Sequence, residues 1–120
     1  KLGLSNVTFE KQDAANFDAE NSFDIVTAFD AIHDQANPEK VLENIKKALK
    51  PDGIFMMQDI RASSKLENNM NLSLALEGKG LGAMWGKELA TQMLNDAGFS
   101  SVDVKELPHD PINYYYIAKP

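Results

Sequence analysis

Three short stretches of this chain carry acids in places where a ligand could be held. They are Gln12–Ala14, Phe29–Asp34 and Gln58–Arg61. The second stretch contains the neighbours His33 and Asp34, and an imidazole that changes charge near neutral pH can act as a general base. Because adjacent residues do not face each other as a dyad would, a surface or helix-capping role is the alternative for this pair.

The apolar runs around these stretches predict the elements that position them. Phe23–Phe29 is β-branched and nearly continuously apolar, which is typical of a central parallel strand. Ile54–Ile60 is a second apolar strand. Between them, Asn37 is predicted as the N-cap of a helix and Pro38 as its first residue. The order strand, helix, strand predicts a parallel pair joined by a right-handed crossover.

The remaining elements follow from periodicity and turn residues. The apolar face of the first helix is predicted to consist of Val41, Leu42, Ile45, Ala48 and Leu49. Other predicted elements are a short strand Val7–Gln12, a turn Pro51–Gly53, an irregular segment Ser63–Trp85, a helix Gly86–Ala97 with Leu89, Met93 and Ala97 inward and Gly98 as its stop, and strands Ser101–Leu107 and Asn113–Lys119. The last two strands lie too close in sequence for a crossover helix, so they should pair antiparallel.

This arrangement indicates which ligand the acids would suit. In open α/β sheets, ligands bind beyond the carboxyl ends of the parallel strands, which is where all three acidic stretches fall. None of them offers a basic cradle for phosphate. An acidic crevice suits a cationic ligand with hydroxyl and amino donors, as in a sulfonium nucleoside, better than a dinucleotide pyrophosphate.

Composition limits the class of protein and its partners. The chain has 120 residues, of which 43% are hydrophobic and 25% charged, a mix typical of one globular domain. A net charge of -6 argues against a nucleic-acid partner. With no cysteine there are no disulfides or thiolate metal ligands, and no metal site is predicted. No membrane span or signal segment is visible. We therefore expect a cytoplasmic protein with a small-molecule substrate and no membrane partner, and leave homo-oligomerisation open.

Several motifs, in the same order along the chain, resemble class I S-adenosylmethionine-dependent methyltransferases. They are the step Gln12-Asp13-Ala14, the strand Phe23–Val26 leading to His33-Asp34, and the turn Leu49–Gly53. Asp59–Ser64, Gly80–Gly86 and Ala97–Phe99 further resemble a subgroup in which a winged-helix-like domain precedes the catalytic domain.

The resemblance implies a fold, a cofactor and a set of site residues. The fold would be α/β, a partial Rossmann-like sheet of parallel strands with an antiparallel C-terminal pair. Asp13 and Ala14 would hold the adenine ring of S-adenosylmethionine, Phe29 and Asp30 would lie near its methionine group, and His33 and Asp34 would be catalytic. The acceptor would be a small molecule.

The resemblance also places the family's glycine-rich loop before Lys1. Residues 1–120 would then be the C-terminal portion of a methyltransferase domain, and this fragment alone should be inactive and bind the cofactor weakly. The strand Phe23–Phe29 is too apolar to stand as an exposed edge, so we expect something to cover it. The alternative function is a non-catalytic α/β domain of the same fold, used in ligand sensing or oligomerisation.

Overall fold

The computed structural model describes residues 3–60 and 86–120. Its helices and strands are β1 (Phe23–Phe29), α1 (Pro38–Ala48), β2 (Leu49–Ile60), α2 (Lys87–Asp96), β3 (Ser101–Leu107) and β4 (Asp110–Lys119), with short 3-10 turns at Ala14–Asn16 and Ile32–Asp34. The predicted irregular segment Ser63–Trp85 and the motif Gly80–Gly86, apart from Gly86 itself, lie outside the described residues, as do Arg61–Ser64 of the motif Asp59–Ser64.

The described strands form one sheet in the order β1-β2-β4-β3. β1 is parallel to β2, while β4 is antiparallel to both β2 and β3. This confirms the α/β fold with a parallel pair and an antiparallel C-terminal pair. The predicted turn Pro51–Gly53 lies inside β2 instead: Phe23 pairs with Leu49 but Ile25 pairs with Ile54, so the extra residues of β2 bulge out of the ladder.

The helix α1 is the predicted crossover. The Asn37 side chain accepts a hydrogen bond from the Lys40 amide at 3.2 Å, and Pro38 opens the first turn. The predicted inner face is confirmed: Val41, Leu42, Ala48 and Leu49 are buried and Ile45 packs beside them.

The predicted inner face of α2 is wrong in one residue. Ala90 and Leu94 are fully buried, whereas Leu89 is 42% exposed. Each residue turns a helix by about 100°, so several apolar positions qualify from sequence alone, and packing against β3, β4 and α1 selects the face. Gly98 ends the helix at φ +107°, in the left-handed region that glycine adopts without strain.

One prediction about the sheet edge is wrong, and the other stays a prediction because it concerns a cover that the described residues do not supply. Val7–Gln12 forms no strand, because a strand needs a hydrogen-bonded neighbour and residues 3–60 and 86–120 place none beside it. Within those same residues β1 is an edge strand, and Ile25 is 64% exposed rather than covered. No described helix is long and apolar enough to cross a bilayer.

Candidate functional site

The carboxyl ends of β1 and β2 bring together a histidine and two acids. Asp30 follows β1, His33 lies in the 3-10 turn after it, and Asp59 is the penultimate residue of β2. One ligand atom from each lies within 4.8 Å of the others. The parallel register accounts for this, because Phe29 is paired with Gln58 and both strands therefore end at the same level.

The tightest contact in this group joins His33 to Asp59. His33 Nδ1 lies 2.9 Å from Asp59 Oδ1 and 3.0 Å from Oδ2, and both side chains are only 2% exposed. Asp59 Oδ1 also accepts a hydrogen bond from the Ile60 amide at 2.8 Å. A carboxylate can only accept a hydrogen bond, so in a neutral imidazole this contact favours the proton on Nδ1 and the lone pair on Nε2.

The second imidazole nitrogen of His33 lies close to Asp34. His33 Nε2 is 3.3 Å from Asp34 Oδ1, yet this buried nitrogen makes no hydrogen bond with the residues that the structure describes. The 3-10 turn Ile32–Asp34 brings the two neighbours closer than an extended chain would. Their proximity is therefore seen, but the carboxylate that orients the imidazole is Asp59.

Asp30 has an unusual backbone. Its φ of +50° is in the left-handed region, which is uncommon for residues other than glycine. Its amide donates to the Gln58 carbonyl at 2.8 Å, so the turn is tied to the end of β2. This places the Asp30 carboxylate 3.8 Å from His33 Nδ1. Phe29, just before it, is exposed.

The predicted adenine position is a capped turn. Asp13 Oδ1 accepts a hydrogen bond from the Ala15 amide at 3.0 Å, so Asp13 caps the 3-10 turn Ala14–Asn16. A cavity of about 220 Å³, lined by Glu10, Gln12, Ala14 and Phe17, opens beside the turn. Asp13 is exposed, so its carboxylate is accessible to a ligand even though it also caps the turn.

Sequence reasoning missed the residue that anchors this turn. Asn44 is a buried polar residue on α1, and its Nδ2 donates to the carbonyls of Ala14 at 3.1 Å and Ala15 at 3.0 Å. The available signal was a polar residue among the inward positions of α1.

The sequence analysis also missed that Asp59 pairs with His33, although Asp59 stood in one of the three acidic stretches.

The substitution Asn44→Ala should lower the free energy of unfolding by about 1–3 kcal/mol, because it removes two part-buried hydrogen bonds, to the carbonyls of Ala14 and Ala15. Urea denaturation of the protein measures this. Asn95→Ala is the matched control, since Asn95 is exposed on α2 and its loss should cost less than about 0.5 kcal/mol. Equal effects of the two substitutions would contradict the anchoring role of Asn44.

A second polar group supports the same edge of the sheet. Asp110 accepts hydrogen bonds from the Tyr115 hydroxyl, from Asn113 Nδ2 at 3.1 Å and from Gln58 Nε2 at 3.4 Å. The bond from Tyr115 holds the pKa of Asp110 below its usual range. These contacts tie the start of β4 to the end of β2. On β4, burial raises the pKa of the Tyr116 hydroxyl above its usual value, so this phenol stays neutral.

The chain is similar to known methyltransferases. Residues 1–98 match the family described as "Methyltransferase domain". A sterol 24-C-methyltransferase from Clavispora lusitaniae is 31% identical over 118 residues, covering 92% of this chain and 32% of that protein. A highly reducing polyketide synthase from Aspergillus nomiae is 36% identical over 111 residues, covering 86% of this chain and 4% of that protein.

A solved structure shows the same fold. A SAM-dependent methyltransferase from Aquifex aeolicus matches with a TM-score of 0.73 at 22% identity, covering 98% of this chain and 56% of that one. The chain thus spans about half of this neighbour and a third or less of the two sequence relatives.

Proposed function

The chain belongs to the methyltransferase domain family, and from that premise we propose that it serves in S-adenosylmethionine-dependent methyl transfer to a small-molecule acceptor that gives up a proton to His33. The observation that carries the proposal is the buried His33–Asp59 pair, with 2.9 Å between Nδ1 and Oδ1. Such a pair orients an imidazole and stabilises the imidazolium that proton uptake creates.

The chemistry asks little acid–base work of the protein. When bound, S-adenosylmethionine supplies a methyl group already activated on a sulfonium, whose sulfur keeps the electrons of the broken bond while the acceptor atom forms the new one. The protein must align the two partners. An oxygen or carbon acceptor also loses a proton, and His33 Nε2 is the atom that would accept it, which requires the acceptor to reach this buried nitrogen. Asp59 would then balance the positive charge.

The acidic residues around the crevice support the assignment of the cofactor positions. Asp13 would accept a hydrogen bond from the adenine amino group, with Ala14 leaving room for the ring beside the cavity of about 220 Å³. Asp30 and Phe29 would face the methionine part, where a carboxylate favours a cationic ligand. The acceptor is proposed to be small because a chain with net charge -6 repels phosphate backbones.

The proposal is tested by following transfer of a labelled methyl group from S-adenosylmethionine in the polypeptide that carries this chain. Two sets of small acceptors are compared, hydroxyl compounds and thiols of similar shape. We expect transfer to both sets, with hydroxyl methylation depending on His33 much more strongly than thiol methylation. A protein that binds the cofactor but methylates no acceptor in either set would support a sensing role instead.

The substitution Asp13→Asn can separate the proposed role of Asp13 in cofactor binding from its role in capping the turn. In Asp13→Asn the amide oxygen can still cap the Ala15 amide, but the charge and the second acceptor oxygen are lost. Losing a charge-assisted hydrogen bond costs about 1.5–3 kcal/mol, so we expect the affinity for S-adenosylmethionine to fall roughly ten-fold or more.

Calorimetry measures this affinity, and Asp18→Asn is the control, because Asp18 is an exposed acid that pairs with Lys47. Unfolding of Asp13→Asn should match that of the unsubstituted protein. If its cofactor affinity also matches, Asp13 serves only as a cap.

A further inference from the structure

We propose that Asp30, His33 and Asp59 form a binding site for a single divalent cation. The donor set is one imidazole nitrogen and two carboxylates, which suits ions such as Zn²⁺ and Mn²⁺. From the sequence, no metal site is predicted. These donors come from three separate places along the chain, and only the fold brings them together.

The distances fit coordination with small movements. Bonds from Zn²⁺ to nitrogen and carboxylate oxygen are about 2.0–2.2 Å, so two ligands at the tetrahedral angle lie about 3.4 Å apart. His33 Nδ1 and the Asp59 oxygens are 2.9 and 3.0 Å apart. Asp30 Oδ1 is 3.8 Å from the same nitrogen and must approach by less than about 1 Å.

Charge and burial also favour a cation here. The carboxylates of Asp30 and Asp59 both lie beside the same imidazole nitrogen, and carboxylate oxygens favour a cation there. His33 and Asp59 are 2% exposed, whereas the Asp30 side chain is 43% exposed. The ion would thus be held from the protein side by two buried ligands, with Asp30 and water closing the coordination toward solvent.

A second, independent observation comes from the other side of the imidazole. When Nδ1 binds a metal, a neutral histidine carries its proton on Nε2, and metal-bound histidines usually donate that proton to a carboxylate. His33 Nε2 is buried and makes no hydrogen bond with the described residues, yet Asp34 Oδ1 stands 3.3 Å away. Metal binding at Nδ1 would place the proton on Nε2, which could then donate a hydrogen bond to the Asp34 carboxylate.

Cation binding would also change what His33 can do, a consequence that rests on the proposed function. With the proton on Nδ1, the Nε2 lone pair is available as a base. With the cation on Nδ1, Nε2 carries the proton and cannot accept another. The bound cation would therefore inhibit methyl transfer to acceptors that must be deprotonated.

The binding test needs neither S-adenosylmethionine nor acceptor, so its failure is distinct from failure of the proposed function. Zn²⁺ is titrated into metal-free protein by calorimetry, while NMR of labelled histidine follows the tautomer of His33. We expect saturable binding of one ion at roughly micromolar concentration and a shift of the His33 proton from Nδ1 to Nε2.

Variants locate the site. Asp30→Asn should weaken binding at least ten-fold, and Asp34→Asn, which removes the outer carboxylate, by roughly ten- to a hundred-fold. His109→Gln is the control, because His109 is exposed on the turn between β3 and β4 and should bind the ion normally. The proposal is overturned if no saturable binding is seen up to millimolar Zn²⁺, or if His109→Gln loses binding while Asp30→Asn keeps it.

Discussion

Replacing His33 with Gln is expected to lower kcat/KM for hydroxyl acceptors by about 10²- to 10⁴-fold, the usual contribution of a positioned general base. Gln retains an amide that can donate to the buried Asp59 carboxylate, so the acid is not left without a partner. It cannot accept a proton at neutral pH. The effect should appear mainly in kcat, because His33 acts on the acceptor proton as the methyl group moves.

The measurement is the labelled-methyl assay on both acceptor sets. Thiols, which ionise with a pKa of about 8.5, need little help from a base and should lose much less activity than hydroxyl compounds. The control variant is again His109→Gln, on the exposed turn. A parallel loss for thiols and hydroxyl compounds would show that His33 positions the substrates rather than accepting the proton.

Replacing Phe55 with Ala is expected to lower the free energy of unfolding by about 3–5 kcal/mol. Phe55 is fully buried at the centre of β2 and stacks on Phe99, with ring centroids 5.8 Å apart. The substitution removes the ring and leaves a cavity between the sheet and the helices. Since Phe55 precedes Asp59 on the same strand and the same face, its loss should loosen the end of β2 as well.

Urea denaturation measures the change, and Phe9→Ala is the matched control. Phe9 is 93% exposed, so the same substitution there should change stability by no more than about 0.5 kcal/mol. A cost at Phe55 as small as that at Phe9 would mean that the core is not centred on β2.

Local sequence patterns were enough to predict the bounds of two strands and the ends of the helices. Phe23–Phe29 is predicted and observed with the same bounds, as is Ser101–Leu107. The cap Asn37 and the stop Gly98 also stand where the sequence places them. These features depend on backbone preferences and on apolar periodicity, which a short stretch of chain carries by itself.

Features that require a distant partner could not be read in the same way. Val7–Gln12 alternates like a strand but pairs with no described neighbour. The bulge in β2 depends on how Leu49 and Ile54 meet β1. Leu89 is as apolar as a core residue, yet the packing of α2 leaves it exposed.

The candidate site also has features that the sequence predicts and features that depend on distant contacts. Acids and His33 follow the apolar runs in the sequence, which was enough to predict that they gather at one edge of the sheet. The sequence showed Asp34 only as the neighbour of His33, and adjacency left a surface or helix-capping role as the alternative to a catalytic one. The folded chain alone shows that Asp59, 26 residues away, orients the imidazole. The parallel register of β1 and β2 sets that distance, and register is a property of two strands together.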